Sequence, residues 1–430
     1  MQEARGTRRG GSPRHGGRGL LTGHARPRPG PRTSGGTFPQ PRPGVGAAEA
    51  RAVRRFLPPA APVSRREDVR ETIRPHHAHR PFRGPAPAPP VSHRSSVPAG
   101  SALNPVLTSP LSRALLALGL VVALGCVFHA EGAFFAAQTH RDLLSASSVT
   151  GILALGMTLV ILGGGIDLSV GSLLAVCGMT FAALTLGAGL AWPLGAAGAL
   201  VAGVALGGVN GMLAARLRLQ PFVATLATMV LARGLAKVLP VALGQDPSSK
   251  VMPPAEQILG PHFYQWLDGD LLVLPLAGGI GVPALGVLFL GLALVLGVVV
   301  SRTVYGRHVF AVGGNEVASH LAGVPVVRVR ALTYVLCGAC AAVAGICQTV
   351  RDRLGNPEAG TMFELKAIAA VVIGGTSLRG GSGGIGLTVV GVLTLGYIEK
   401  ILSINGVAEH WRLILQGAIL VAAVLLQDRR

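Results

Sequence analysis

From about Pro110 to the C-terminus, apolar stretches of fifteen to twenty-two residues recur, separated by short polar breaks. A hydrocarbon core about 30 Å thick, crossed at 1.5 Å per residue, needs about twenty apolar residues per helix. The pattern therefore predicts ten spanning helices, at 111–130, 147–163, 168–188, 192–213, 221–240, 283–301, 330–350, 364–378, 384–403 and 411–427. The expected fold class is all-α: a polytopic integral membrane protein with about ten transmembrane helices, some short or glycine-broken, preceded by a disordered basic tail. The second and eighth stretches are short for a full span, and each adjoins a glycine cluster.

The first cluster lies in Gly156–Leu173, GMTLVILGGGIDLSVGSL. Here Gly163, Gly164 and Gly165 interrupt apolar sequence just before a lone carboxylate, Asp167. Hydrocarbon penalises exposed backbone and ionised side chains, so this break must face protein or water. Two readings stand: a functional site, or a tight turn in which Asp167 caps the next helix. Gly374-Gly375, with Gly380-Gly381 and Gly383-Gly384 beyond, mirror the first break. Short, glycine-interrupted segments in two halves of a membrane chain point to discontinuous helices around a substrate path, or to glycine simply admitting close helix packing.

Charge changes the picture mainly upstream. The formal charge of +19 divides into +14 over residues 1–104, where 19 Arg meet five acids, and +5 over the remainder. Residues 1–104 form one expected domain, a disordered Arg/Pro/Gly-rich tail, and residues 105–430 the other, the membrane domain. The tail has too little apolar surface to offset the entropy of ordering. It could hold anionic lipid, but it lacks the interleaved aromatics that stack bases, so no nucleic-acid partner is expected. His76, His77 and His79 are read as tail. A start assigned too far upstream would leave the segment unmade. Five cysteines, Cys126, Cys177, Cys337, Cys340 and Cys347, all lie in apolar runs, and Cys337 and Cys340 have no second pair, so neither a disulfide framework nor a metal is expected.

Lys/Arg placement orients the chain with both termini inside. Arg216, Arg218, Arg302, Arg307, Arg328, Arg330, Arg429 and Arg430 then fall inside, against Arg351 and Arg353 in an outer loop. The inner loop SRTVYGRHVFAVGGNEVASHLAGVPVVRVR is too polar to span and too apolar to be disordered. Gly313-Gly314-Asn315 reads as a turn or helix start, and Glu316–Leu321 as a short helix ending near Gly323, such as a soluble partner could grip. None of the four lysines (Lys237, Lys250, Lys366, Lys400) belongs to a G-x-x-x-x-G-K-[ST] loop, and no zinc-protease or serine-hydrolase motif occurs, so no enzyme activity and no cofactor are expected. Glu364 reads as an interfacial cap.

GMTLVILGGGIDLSVGS, GGNEVASHLAGVPVVRV and ELKAIAAVVIGGTSLRGGSG resemble, in order and spacing, permease subunits of bacterial ABC importers of the ribose, xylose and arabinose type. The similarity covers roughly Leu111–Leu426 and leaves the tail unmatched. The resemblance implies an inner-membrane permease that pairs with a second copy or paralogue. It works with a cytoplasmic ABC ATPase and an extracytoplasmic sugar-binding protein. It places Gly314, Asn315, Glu316, Ala318 and Gly323 in the segment that docks the ATPase, and Asp167, Ser169, Thr376 and Ser377 at or near the translocation path. One departure is Glu364-Leu365-Lys366, where many relatives read E-L-D. Rival expectations are a permease for branched-chain amino acids, an ion-coupled secondary transporter, and a membrane-anchored nucleic-acid-binding protein using the tail. Mass spectrometry of the native N-terminus tests the tail: peptides from residues 1–90 would remove the upstream-start reading.

Overall fold

The computed structural model describes residues 109–242, 250, 266–274 and 280–428. The expected tail domain, residues 243–249 and 251–265 of the loop before α6, and Arg429-Arg430 lie outside the described residues.

Ten apolar helices correspond to the ten expected stretches. They are α1 (Pro110–Val127), α2 (Ala137–Leu162), α3 (Val170–Ala182), α4 (Trp192–Gly211), α5 (Pro221–Ala242) and α6 (Ala284–Arg302), followed beyond two shorter helices by α9 (Val326–Asp352), α10 (Phe363–Ile373), α11 (Ile385–Ile404) and α12 (Glu409–Asp428). Between α6 and α9 lie α7 (Val304–Gly314) and α8 (Glu316–Leu321). Single π turns extend α3 to Gly187 and α4 to Arg216. Among the described residues, α1, α2, α4 with its π turn, α5, α6, α9 and α11 are long and apolar enough to cross a membrane.

Two expectations need correction. The second span is not short, because α2 starts ten residues before the predicted Ser147. Its first turns carry Gln138, His140, Arg141 and Asp142, polar enough to hide the helix from a hydropathy reading. They hold the end of the helix by pairing: Arg141 Nε lies 2.6 Å from Asp270 Oδ1, and His140 Nδ1 lies 3.1 Å from the Tyr397 hydroxyl. The loop before α6 also contains an unforeseen antiparallel hairpin, β1 (Asp270–Leu274) with β2 (Ile280–Pro283).

At the centre, α9 packs against α2, α3 and α4. From Gly151 to Gly163, α2 is buried on every side, as expected for a helix apolar all round. Lipid-like solvent gives helices no hydrophobic reason to associate, so close contact of small residues matters instead. On α4 such residues recur every fourth position. A Cβ on Gly203 would overlap the Gly338 carbonyl oxygen, one on Gly207 the Tyr334 carbonyl oxygen, and one on Gly211 would come within 2.8 Å of the Ala331 carbonyl oxygen. The outer helices present apolar side chains instead, including Leu120, Val230 and Leu294, each more than 60% exposed. Gly207→Val is expected to destabilise the fold by at least about 1–3 kcal/mol, since backbone cannot yield as a side chain can. An unchanged melting temperature of the detergent-purified protein would refute this packing.

Candidate functional site

Both glycine breaks end their helices in the same way. The Gly165 N–H donates to the Val160 carbonyl at 2.9 Å and the Gly164 N–H to Ile161 at 2.9 Å. In the second break the Thr376 N–H donates to Val371 at 3.2 Å and the Gly375 N–H to Val372 at 2.9 Å. This is the Schellman pattern, which needs a left-handed residue at its bend. Gly164 (φ 78°) and Gly375 (φ 96°) supply it.

The two breaks also meet. The Gly381 N–H donates to the Leu162 carbonyl at 3.0 Å, closing the last turn of α2 with backbone from 219 residues downstream. The end of α7 joins them: a Cβ on Gly313 would overlap the Leu162 carbonyl oxygen, one on Gly380 would come within 3.0 Å of Gly164 Cα, and one on Gly381 within 2.6 Å of Gly314 Cα. Three backbone segments therefore touch at a junction too tight for side chains, and Asn315 leaves it directly into α8.

That short helix is closed at both ends. Asn315 is its N-cap, its Oδ1 accepting from the Ala318 N–H at 2.9 Å. Gly323 (φ 81°) ends it, with the Val324 N–H donating to Ser319 at 3.0 Å. Glu316 holds Arg330 at 2.7 Å. Gly314, Asn315, Glu316, Ala318 and Gly323 are all exposed. Val317 and Leu321, one turn apart on one face, are 70% and 83% exposed. Beside them a cleft of about 910 Å³ opens between the Ala214–Pro221 turn and the start of α9.

Asp167 is fully buried and makes a polar cluster with Ser169 and Asn210. Its Oδ1 accepts from the Ser169 N–H at 2.9 Å and the Ser169 hydroxyl at 2.6 Å. Asn210 Nδ2 donates to both carboxylate oxygens, at 3.2 and 3.3 Å, and to Ser169 Oγ at 2.8 Å. The carboxylate thus organises the start of α3, as a cap would, and also ties that start to α4. Cys337 lies beside it. Cys337 is the twelfth of the 27 residues of α9, so Asp167 stands just short of that helix's midpoint. The cluster lies at the start of α3 and the last turn of α4, beside the middle turns of α9. Among the described residues, no group of His, Cys, Asp and Glu could hold a metal ion.

At the end opposite α8, a cavity of about 540 Å³ lies among α2, α9, α10, α11 and α12. Ser145, Ser147, Thr150 and Ser403 add hydroxyls to its walls, charged side chains surround it, and Ala370, Val392 and Leu395 reach towards the second break. Ala370 lies one turn before Gly374, where α10 and α11 approach so closely that a Cβ on Gly391 would overlap the Ala370 carbonyl oxygen.

The structure brings Asp167 and Ser169 together in one hydrogen-bonded cluster. Thr376 is buried and accepts from the Gly384 N–H at 3.3 Å; Ser377 is half-buried and accepts from the Arg379 N–H at 3.2 Å. None of the four lines the 540 Å³ cavity or the α8 cleft. Glu364 lies in the first turn of α10 and Lys366 pairs with Glu399 at 3.1 Å. Sequence reasoning missed Asn210, whose only signal is an amide inside the apolar run VALGGVNGML, and it missed the cavity, whose residues are scattered over five helices.

A bundle of apolar helices long enough to cross a membrane, with a buried polar cluster and paired glycine breaks, is the architecture of a polytopic membrane protein. The family described as branched-chain amino acid transport system / permease component matches residues 141–424, and the chain belongs to it. The ribose import permease protein of Escherichia coli (strain K12) is 37% identical over 321 residues, covering 73% of this chain and 92% of that protein. The L-arabinose transport system permease protein of the same strain is 33% identical over 287 residues, 66% of this chain and 81% of its own. Its xylose transport system permease protein is 32% identical over 352 residues, 72% and 90%. No solved structure matches the chain.

Each hydrogen bond to a carboxylate is worth about 1.5–3 kcal/mol, and stranding buried donors costs more than replacing them. Asp167→Leu is therefore expected to lower the melting temperature well below that of Asp167→Asn, whose amide oxygen still accepts from Ser169. Equal melting temperatures for the two variants would show that the cluster does not hold α3 to α4.

Proposed function

We propose that the chain is the permease subunit of an ATP-driven importer, carrying a pentose or hexose across a bacterial plasma membrane. The observation that carries this reading is the 37% identity extending over 92% of a ribose import permease. In this reading α8 faces the cytoplasm and docks a separate ABC ATPase through Val317, Leu321 and the adjoining cleft. The 540 Å³ cavity faces outward and receives sugar from an external binding protein. A second copy or a paralogue completes the transporter.

The orientation is supported by Arg216, Arg218, Arg302, Arg307, Arg328 and Arg330, which gather at the α8 end. The mechanism follows from the junction. Because Gly313 and Gly314 touch both breaks, displacing α8 moves the end of α2 and the Thr376–Gly384 loop together. A packed contact of this kind switches between discrete arrangements rather than bending. In this reading Asp167, Ser169, Thr376 and Ser377 lie at or near the translocation path. Hydroxyls on the cavity wall suit a neutral sugar, which needs matched donors and acceptors and weak attachment so that it can leave.

The family's description favours a second substrate, a branched-chain amino acid. The two are separated by uptake into proteoliposomes containing the permease, its ATPase and its binding protein. ATP-dependent accumulation of labelled ribose, xylose or arabinose is expected; accumulation of leucine instead, or of sugar without the ATPase, overturns the reading. Glu316→Arg is expected to abolish co-purification of the ATPase while membrane insertion persists, and undiminished co-purification would remove α8 as the docking element.

A further inference from the structure

The cavity opposite α8 is densely charged, yet its carboxylates are already engaged. Asp142 lies 3.5 Å from Arg141 and 3.6 Å from Lys400. Asp268 meets Arg353 at 3.5 Å, and Glu399 takes both Lys366 at 3.1 Å and the Gln416 amide at 2.5 Å. Arg141 is held more closely still by Asp270, at 2.6 Å.

Among the described residues, two guanidinium groups on the cavity wall have no carboxylate partner. Arg351, at the end of α9, reaches only the Ala146 carbonyl, at 3.5 Å. Arg412, in the first turns of α12, has its Nε sealed from solvent with no hydrogen-bond partner. That Nε is covered by protein and does not open onto the cavity; the outer nitrogens of a cavity-lining guanidinium form a planar fork shaped for a carboxylate or phosphate. The same wall carries the hydroxyls of Ser147, Thr150 and Ser403, which can exchange hydrogen bonds with the hydroxyls of a polyol. The cavity volume, about 540 Å³, lies within the range of small-molecule sites.

We propose that this cavity binds a small polyhydroxylated anion, its carboxylate or phosphate held by Arg351 and Arg412 and its hydroxyls by the wall. This rests on the permease reading for its place in transport, but the binding itself needs no other subunit. It extends the sugars this cavity admits from neutral ones, which its hydroxyls suit, to acidic ones.

The test uses the full chain in nanodiscs, with melting followed on addition of D-gluconate, D-glucose 6-phosphate, D-glucose or acetate at millimolar concentration. At least one of the two polyol anions is expected to raise the melting temperature by about 2 °C or more, with smaller responses to glucose and acetate; which of the two acts identifies carboxylate or phosphate as the group bound. Arg351→Gln and Arg412→Gln are each expected to remove at least half of that shift, and Arg351→Lys to retain part of it. An equal response to glucose or acetate, no response to either anion, or an undiminished response in both Gln variants overturns the site. ATP-dependent uptake of neutral sugar with no anion response would sink this site while leaving the importer reading intact.

Discussion

The contact on which the structure turns is the one at the Leu162 carbonyl. A helix that stops inside a membrane leaves carbonyls that hydrocarbon cannot satisfy. The Schellman bend settles two of those of α2 locally, and Gly381 settles a third from the second half of the chain. That bond sets backbone against backbone, where a Cβ on Gly381 would come within 2.6 Å of Gly314 Cα. Gly313 brings the end of α7 to the same atom, so the element leading into α8 shares a contact with both broken helices. Satisfying one carbonyl thus joins what lies at the exposed end to what lies at depth.

Polar chemistry is distributed around this junction according to depth. Near the middle of α9 the Asp167, Ser169 and Asn210 cluster is fully buried, with each carboxylate oxygen accepting and no lysine or arginine among the donors. The carboxylate is satisfied while the Asn210 side-chain oxygen is buried without a partner, and the cluster ties the start of α3 to α4. At the end opposite α8 the charges are numerous, partly exposed and mutually paired, so individually they contribute little to stability. Their arrangement matters for what the cavity presents: engaged carboxylates, two guanidinium groups with no carboxylate partner among the described residues, and a set of hydroxyls.

The ten apolar segments were legible because spanning length and composition are properties of contiguous sequence, and the same holds for the Glu316–Leu321 helix with its Asn315 cap and Gly323 stop. The start of α2 was not legible. Gln138, His140, Arg141 and Asp142 read as loop until Asp270 and Tyr397, far along the chain, are placed beside them. The hairpin at Asp270–Pro283 was hidden among short apolar runs that carry no helical or strand period of their own.

The sequence by itself determined that this is a helical membrane protein, that two glycine breaks interrupt it in related fashion, and which permease family it resembles. Those features are local, so a window of residues suffices to express them. Only the tertiary structure decided that the breaks touch each other, that Asp167 finds Asn210 on α4 as its partner, and that a charged cavity forms from five helices. Each depends on residues brought together across tens to hundreds of positions. The glycines of the opening break looked like a local interruption; folded, they are where three parts of the chain come close enough for one carbonyl to bind them.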